Sequence, residues 1–544
     1  GHLIAENGVP PEQCLAITFT RRAADEMRER LGFLLAGRAS GATVCTFHAL
    51  GLSILREHAD RFGLSPDFRI AGADEQLEAL GDAAGLPDDE TTAVKRLLAR
   101  LHAARLRPED GTAELAELAA GYAKALRARD LVDVDELVSL PVELLAADEA
   151  LVGEYRRRYR HVFVDEYQDV DETQYRLLRL LCPPDGNLCA IGDPDQAIYS
   201  FRGADVGFFL RFEQDFPGAR VVRLTRNYRS TAPILAAAVQ AIAPDTLVTD
   251  RTLAPARRGA ISGARITRYS AASADEEADF VVRTVDRLVG GSSFHALDSG
   301  RVDGRDGGLS GVSFADVAVL YRTDAQAAPI VDALSRAGIP VQKRSHDRLL
   351  DRRGVAAISE ELRYATGIDG SVAARVRLTG QVLRSRPDLT GQDVDIAVDL
   401  LMPLAGRCGA DLEMFLRELV TGAEVDTWDP RADRVTLLTL HASKGLEFPV
   451  VFLVGCEDGL LPLRLPGREP SGAELAEERR LLFVGITRAQ DRLYLSHAAK
   501  RTRRGAAAQA PASPFLDAID PRLYDLLGED AARRRPRAKQ LRLI

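Results

Sequence analysis

The chain has 544 residues, 46% of them hydrophobic and 28% charged, with a formal net charge of −9 at pH 7. That length predicts three or four domains, each large enough for its own core. No apolar run approaches the roughly 20 residues of a membrane span and no basic-then-apolar leader opens the sequence, so a soluble, cytoplasmic protein without membrane partners is expected. The six cysteines are scattered without a CxxC pair, which indicates neither a disulfide framework nor a zinc site. Net acidity argues weakly against a nucleic-acid partner, yet arginine clusters at 156–160, 500–504 and 533–537 leave local basic stripes open beside the plainer reading of solvated surface.

In chain order, residues 1–13 read as a helix end and a Pro-Pro turn. Residues 15–19 (LAITF) read as a strand, followed by a helix in which Ala24, Met27, Leu31 and Leu34 recur at three- and four-residue spacing. The junction Thr18-Phe19-Thr20-Arg21-Arg22 gathers hydroxyls, an aromatic ring and two guanidinium groups, which suits a phosphodiester backbone and a stacked base. A helix cap by Thr20 accounts for the same residues. A second strand, 42–45, ends in Thr46-Phe47-His48 with the same character, and 51–159 is an Ala/Leu/Arg-rich helical insertion.

The stretch 161–170, HVFVDEYQDV, carries the sharpest chemistry. Strand formers Val162, Phe163 and Val164 run straight into Asp165 and Glu166. A carboxylate at a strand tip can hold Mg²⁺ through its water shell, and its neighbour can orient or deprotonate the water that attacks a γ-phosphate. An ordinary strand and an acidic turn is the bland alternative. The next strand, 188–191, opens into a loop with Asp193 and Gln196, then Tyr199, Phe201 and Arg202, placing a phosphate sensor and a base platform together.

Beyond it the pattern predicts a strand at 221–224, a helix capped by Ser230 or Thr231, a flexible glycine-rich loop at 290–311, a strand at 317–322 and a helix at 325–337. A second helical insertion spans 366–431. Strand 435–440 leads into His441, strand 450–454 follows, then helix 474–486, Thr487-Arg488-Ala489 and strand 492–496. The tail is basic, with an amphipathic piece at 514–527. The fold class is therefore α/β: two parallel sheets, each interrupted by a helical insertion, with polar loops at strand carboxyl ends.

AITFTRRAADEM, TFHAL, VFVDEYQDV, IGDPDQAIYSFRGA, LTRNYRS, VAVLYRTDAQ, TLLTLHASKGLEFPVVFLVG and EERRLLFVGITRAQDRLYL together resemble the ordered motif series of the UvrD/Rep-like helicases of superfamily 1A, over nearly the whole chain from Leu3 to about Ile519. The resemblance implies two RecA-like P-loop NTPase domains: 1–50 with 159–217, and 218–365 with 432–520. Residues 51–158 and 366–431 are then the insertions and 521–544 a basic tail. It implies an ATP-dependent helicase that moves 3′ to 5′ on single-stranded DNA and acts at single-strand/duplex junctions in repair or replication. ATP and Mg²⁺ are the implied cofactors, with Asp165 on the metal, Glu166 as base, Gln196 sensing the γ-phosphate, and Arg229 and Arg488 as arginine fingers. By the same resemblance Tyr228 stacks on adenine and Glu447 holds the ribose. Phe19, Phe47, His48, Tyr199, Phe201, Arg202, Thr439 and His441 are nominated for DNA, with core packing the alternative for Phe19 and Phe47.

The sequence departs from that family's pattern: the upstream glutamine motif is missing, and motif II has Tyr167 and Val170 where phenylalanine and threonine are common. No lysine is preceded by glycine and followed by Ser or Thr, so the phosphate-cradling GxxxxGK[ST] loop does not occur in these residues. The chain is accordingly expected to be a fragment or truncated gene product, with a first sheet that exposes an apolar edge and with Mg·ATP binding severely impaired as written. Phe201 stands where the family usually has tryptophan, and the second insertion is short. The competing readings are a catalytically inactive DNA- or partner-binding relative, and the helicase part of a helicase-nuclease.

Overall fold

Apolar, β-branched runs become parallel strands in the computed structural model. It describes all residues except 39, 88–89, 107–111, 257–263, 291–310, 346–348, 365–369, 423, 466, 504–505 and 529–544. The glycine-rich loop and most of the basic tail therefore lie outside the described residues. The chain forms two compact units, Gly1–Arg220 with Asp347–Thr427, and Val221–His346 with Trp428–Ile544.

In the first unit β1 (Cys14–Thr18), buried throughout, lies between β2 (Thr43–Thr46) and β3 (His161–Val164), with β4 (Asn187–Ala190) at the edge beyond β3. Ile17 pairs with Cys45 on one side and Val164 on the other, and Val164 with Ala190; every pair is parallel, so all four carboxyl ends open on one side. Helix α1 (Arg21–Leu35) follows β1, with Thr20 Oγ1 accepting from the Ala23 N–H at 3.2 Å. The sequence places Leu34 on its buried face, but Leu34 is 69% exposed and Leu35 only 2%. The stripe runs Ala24, Met27, Leu31, Leu35, because successive four-residue steps keep a 3.6-residue helix on one face better than a final three-residue step. α2 (Phe47–Glu57) and α3 (Glu172–Leu181) pack on the opposite face of the sheet, against Leu15, Ile17, Val162 and Val164, through Phe47, Leu50, Ile54, Leu177, Leu178 and Leu181.

The first insertion is helical, with helices Ala73–Ala84, Thr91–Leu106, Ala113–Arg127 and Glu136–Ala147, and has one short parallel pairing, Arg69–Ile70 with Leu131–Val132. Its buried Asp133 accepts from Gln76, Tyr122 and Arg105 at 3.1, 3.3 and 3.0 Å, so the charge is compensated inside an otherwise apolar bundle. Residues 347–427, inserted between strands of the second sheet, pack with the first unit. There Arg21 Nη1 donates to Oε2 of Glu418, on helix Leu412–Thr421, at 2.7 Å and to its carbonyl at 2.5 Å.

The second unit holds seven parallel strands in the order β7-β8-β6-β9-β10-β5-β11. They are β5 (Ile266–Ala271), β6 (Val317–Tyr321), β7 (Val341–Arg344), β8 (Val435–Thr439), β9 (Phe448–Leu453), β10 (Ala489–Ala498) and β11 (Tyr524–Gly528). Helices α4 (Ala232–Ile242), α5 (Ala274–Val289), α6 (Ala327–Arg336) and α7 (Gly472–Ile486) complete it. The structure corrects two expectations, at 221–224 and at Arg501, and gives the amphipathic piece 514–527 its form. Residues 221–224 are not a strand: Val221, Val222 and Leu224 are 58%, 66% and 81% exposed, and pairing begins only at Arg226–Asn227, against Ala254–Pro255. Strand-forming side chains do not make a strand without a ladder partner. The amphipathic piece 514–527 is two short 3₁₀ turns leading into β11, which pairs with β5. In the run 500–504, Arg501 is not surface: it lies between Glu277 and Glu457, 2.6 Å from Glu457 Oε1, with all three buried.

Candidate functional site

The acidic stretch sits where the parallel sheet predicts, past the carboxyl end of β3. The Asp165 N–H donates to the Ile17 carbonyl at 2.8 Å, so the ladder still holds the backbone there, and both Asp165 and Glu166 are half-buried. Glu166 has left-handed φ and ψ of 53° and 41° and starts the 3₁₀ turn Tyr167–Asp169. That conformation costs a non-glycine residue energy and is found where surrounding contacts over-determine it. Tyr167 is fully buried, set edge-on to Phe212 at 5.3 Å, and anchors the turn in the core. The next residue, Gln168, which the sequence reading passed over as part of an acidic turn, is 0% exposed and bonded to Glu166 Oε2 at 2.5 Å.

The loop after β4 carries Asp193 and Gln196 side by side: Gln196 Nε2 donates to Asp193 Oδ2 at 3.0 Å. Further along, Tyr199 stacks on Phe19 with centroids 5.0 Å apart and planes 16° off parallel, and Phe201 tilts against Tyr199 at 6.1 Å. The Arg202 guanidinium lies 5.8 Å and 5.7 Å from the Tyr199 and Phe201 centroids. Only Phe201, 57% exposed, offers a ring face broadly to solvent. Tyr199 is 2% exposed and Phe47 4%, so Tyr199 backs the platform and Phe47 fills the core, the packing alternative weighed for it. Phe19 and His48 are half-buried. The neighbouring arginines are engaged, Arg21 with Glu418 and Arg22 with Glu26 at 2.8 Å.

In the second unit, Ser230 Oγ donates to the Ala489 carbonyl at 2.6 Å and the Thr231 N–H to the Gln490 carbonyl at 3.0 Å, fixing the segment that carries Tyr228 and Arg229 against β10. Arg229 Nε donates to Glu447 Oε2 at 2.5 Å and its Nη1 to the Thr487 carbonyl at 3.2 Å; Gln490 holds Glu447 Oε1 at 2.9 Å. Partial burial alone would raise the Glu447 carboxyl, but the Arg229 charge, with bonds from Arg229 and Gln490, outweighs it and holds the group below its ordinary value. Tyr228 is 66% exposed, with Arg226 5.4 Å from its centroid. Arg488, by contrast, is 1% exposed and bonded to the Val484 and Leu446 carbonyls at 2.9 and 3.1 Å. Thr439 ends β8, its Oγ1 accepting from the Ala442 N–H at 3.2 Å, and His441 is half-buried in the turn that follows.

Carboxylates and amides stand past the carboxyl ends of β3 and β4 in the first unit, whereas Glu447 and Arg488 of the second unit stand at the amino ends of β9 and β10, contrary to the expectation of carboxyl-end loops throughout; the family follows from comparison. Residues 1–217 match the UvrD/REP helicase N-terminal domain, and 222–377 with 406–500 match the UvrD-like helicase C-terminal domain. The chain belongs to this superfamily 1 helicase family, and is similar to two relatives in particular. It is 32% identical to the ATP-dependent DNA helicase UvrD1 of Mycobacterium tuberculosis, over 96% of this chain and 81% of that one. It is 29% identical to the ATP-dependent DNA helicase PcrA of Bacillus subtilis, over 99% and 84%.

Proposed function

We propose that the protein is an ATP-dependent DNA helicase that translocates 3′ to 5′ on single-stranded DNA and opens duplexes at single-strand junctions during repair or replication. The reading rests on one observation above the others: the loop that positions Gln196 beside Asp193 also presents Phe201 and Arg202 to solvent. A residue set for phosphate and a residue set for bases on one loop is what coupling of hydrolysis to movement needs.

Asp165 and Glu166, half-buried oxygen donors past the end of β3, are of the type that would hold Mg²⁺, a hard cation taken up by few carboxylates together with substrate phosphates. Asp165 is the residue assigned to hold it, and the ion neutralises phosphate charge when bound. Glu166 accepts the proton of the attacking water, and Gln196 donates to the γ-phosphate. Arg229 and Arg488 supply positive charge to the transferring group; Arg229, tied to the half-exposed Glu447, is freer to do so than the buried Arg488. Tyr228 has the exposure to stack on a purine.

Glu166→Gln is expected to lower DNA-stimulated ATP turnover by about a thousandfold or more while nucleotide binding stays within severalfold. Unchanged turnover overturns the base assignment.

A further inference from the structure

We infer that Gln168 is a positioning residue that ties the Glu166 carboxylate to the loop carrying Gln196 and the exposed aromatic platform. The inference rests on Glu166 acting as the base. Gln168 is 0% exposed, and its two amide ends are used in opposite senses: Nε2 donates to Glu166 Oε2 at 2.5 Å, while Oε1 accepts from the Asp193 backbone N–H at 3.0 Å. Only this orientation of the amide satisfies both partners, since a carboxylate cannot donate and an N–H cannot accept. From Asp193 the string continues, Oδ1 accepting from the Asp195 N–H at 3.1 Å and Oδ2 from Gln196 Nε2 at 3.0 Å. An unbroken line of hydrogen bonds thus runs from the base to the phosphate-sensing amide.

Two backbone features lock this line in place. Glu166 is held left-handed, so its side chain turns back toward the residue two positions on. At Gly192 a Cβ would stand 2.3 Å from Gln168 Oε1 and 2.9 Å from the Phe209 ring, so the strand end closes on the buried amide only because no side chain is there. No other side chain that the fold buries there does the same work. Methionine fills the volume without either bond, and glutamate cannot donate to Glu166. The consequence is mechanical: a displacement of the loop on which Phe201 stands is felt at the base, and the reverse.

Backbone hydrogen exchange across the segment containing Asp193, compared for wild type, Gln168→Met, Glu166→Ala and the double variant, tests the tie directly. Gln168→Met is expected to speed exchange by about tenfold, Glu166→Ala to do the same through Gln168, and the pair to add nothing further. If Gln168 only fills space, Glu166→Ala leaves exchange at Asp193 unchanged, and that result overturns the inference. Gln168→Met is also expected to lower kcat of DNA-stimulated ATP hydrolysis about tenfold with KM for ATP within about twofold; a wild-type kcat overturns it equally. If wild type turns over no ATP at all, the proposed function fails, and the exchange comparison still decides whether the tie exists.

Discussion

In the second unit β6 runs inside a seven-stranded sheet, between β8 and β9, with every residue from Val317 to Tyr321 at 0% exposure; in the first, β4 closes a four-stranded sheet with Asn187 and Cys189 exposed and Ile191, just past its end, 46% exposed. Parallel sheets owe their stability to burial on both faces, so the two strands are held by different means. Around β4 the order comes from hydrogen bonds of the loops, the Tyr167 N–H to the Ile191 carbonyl at 2.9 Å, the Ile191 N–H to the Val164 carbonyl at 2.8 Å, and the Gln168 amide. The loop carrying Gln196 and Phe201 follows the less buried of the two strands. Elements that move in function are drawn from the less stable parts of a fold.

The largest disturbance of the second unit is expected at Arg501. Replacing it with Met leaves Glu277 and Glu457 buried without their cation, and is expected to cost about 3–5 kcal/mol. Urea unfolding followed by Trp428, the single tryptophan, which lies 8% exposed beside Phe448, reports on this unit; a loss below about 1 kcal/mol means the triad is not structural. The contrast between the sheets is sharpened by paired truncations. Leu320→Ala in β6 is expected to cost about 2–5 kcal/mol, and Leu188→Ala in half-buried β4 under about 1.5 kcal/mol. Equal losses by thermal unfolding break the comparison.

A smaller effect is expected from pH in the first unit. Burial pushes the Asp171 carboxyl, the cap of α3, up to about 6, against the lowering bonds from the Gln174 and Thr173 backbones. The folded form then keeps a proton between about pH 4 and 6 that the unfolded chain has released. This group's contribution to stability is therefore greatest at the acid end and declines as pH rises through that window. Asp171→Asn keeps a capping oxygen, and is expected to flatten that dependence and to stabilise the unit at pH 7 by about 1–3 kcal/mol. Destabilisation at pH 7, measured by denaturant titration, contradicts the assignment.

Much of this was legible in the residues. Val162 to Glu166 announced a strand delivering carboxylates, because β-branched residues and a sudden charge mark a strand end locally. The cap at Thr20 and the aromatic loop after β4 were equally local. What escaped was long-range. Gln168 looks like any turn residue until Asp193, distant in sequence, closes on its other end. Arg501 reads as part of a basic run until Glu277 and Glu457 are folded around it. Val221 and Val222 have strand chemistry without a partner among the described residues, and Glu418 meets Arg21 only through packing of the second insertion on the first unit. Ladders and ion pairs between distant segments leave no periodic trace.

The central claim, ATP-driven movement from 3′ to 5′, is tested most directly by strand displacement with Mg·ATP from two partial duplexes that differ only in whether the single-stranded tail is 3′ or 5′. The account predicts ATP-dependent unwinding of the 3′-tailed duplex, lost in Glu166→Gln, and little of the 5′-tailed one. Unwinding that prefers the 5′ tail, or that persists in Glu166→Gln, contradicts it.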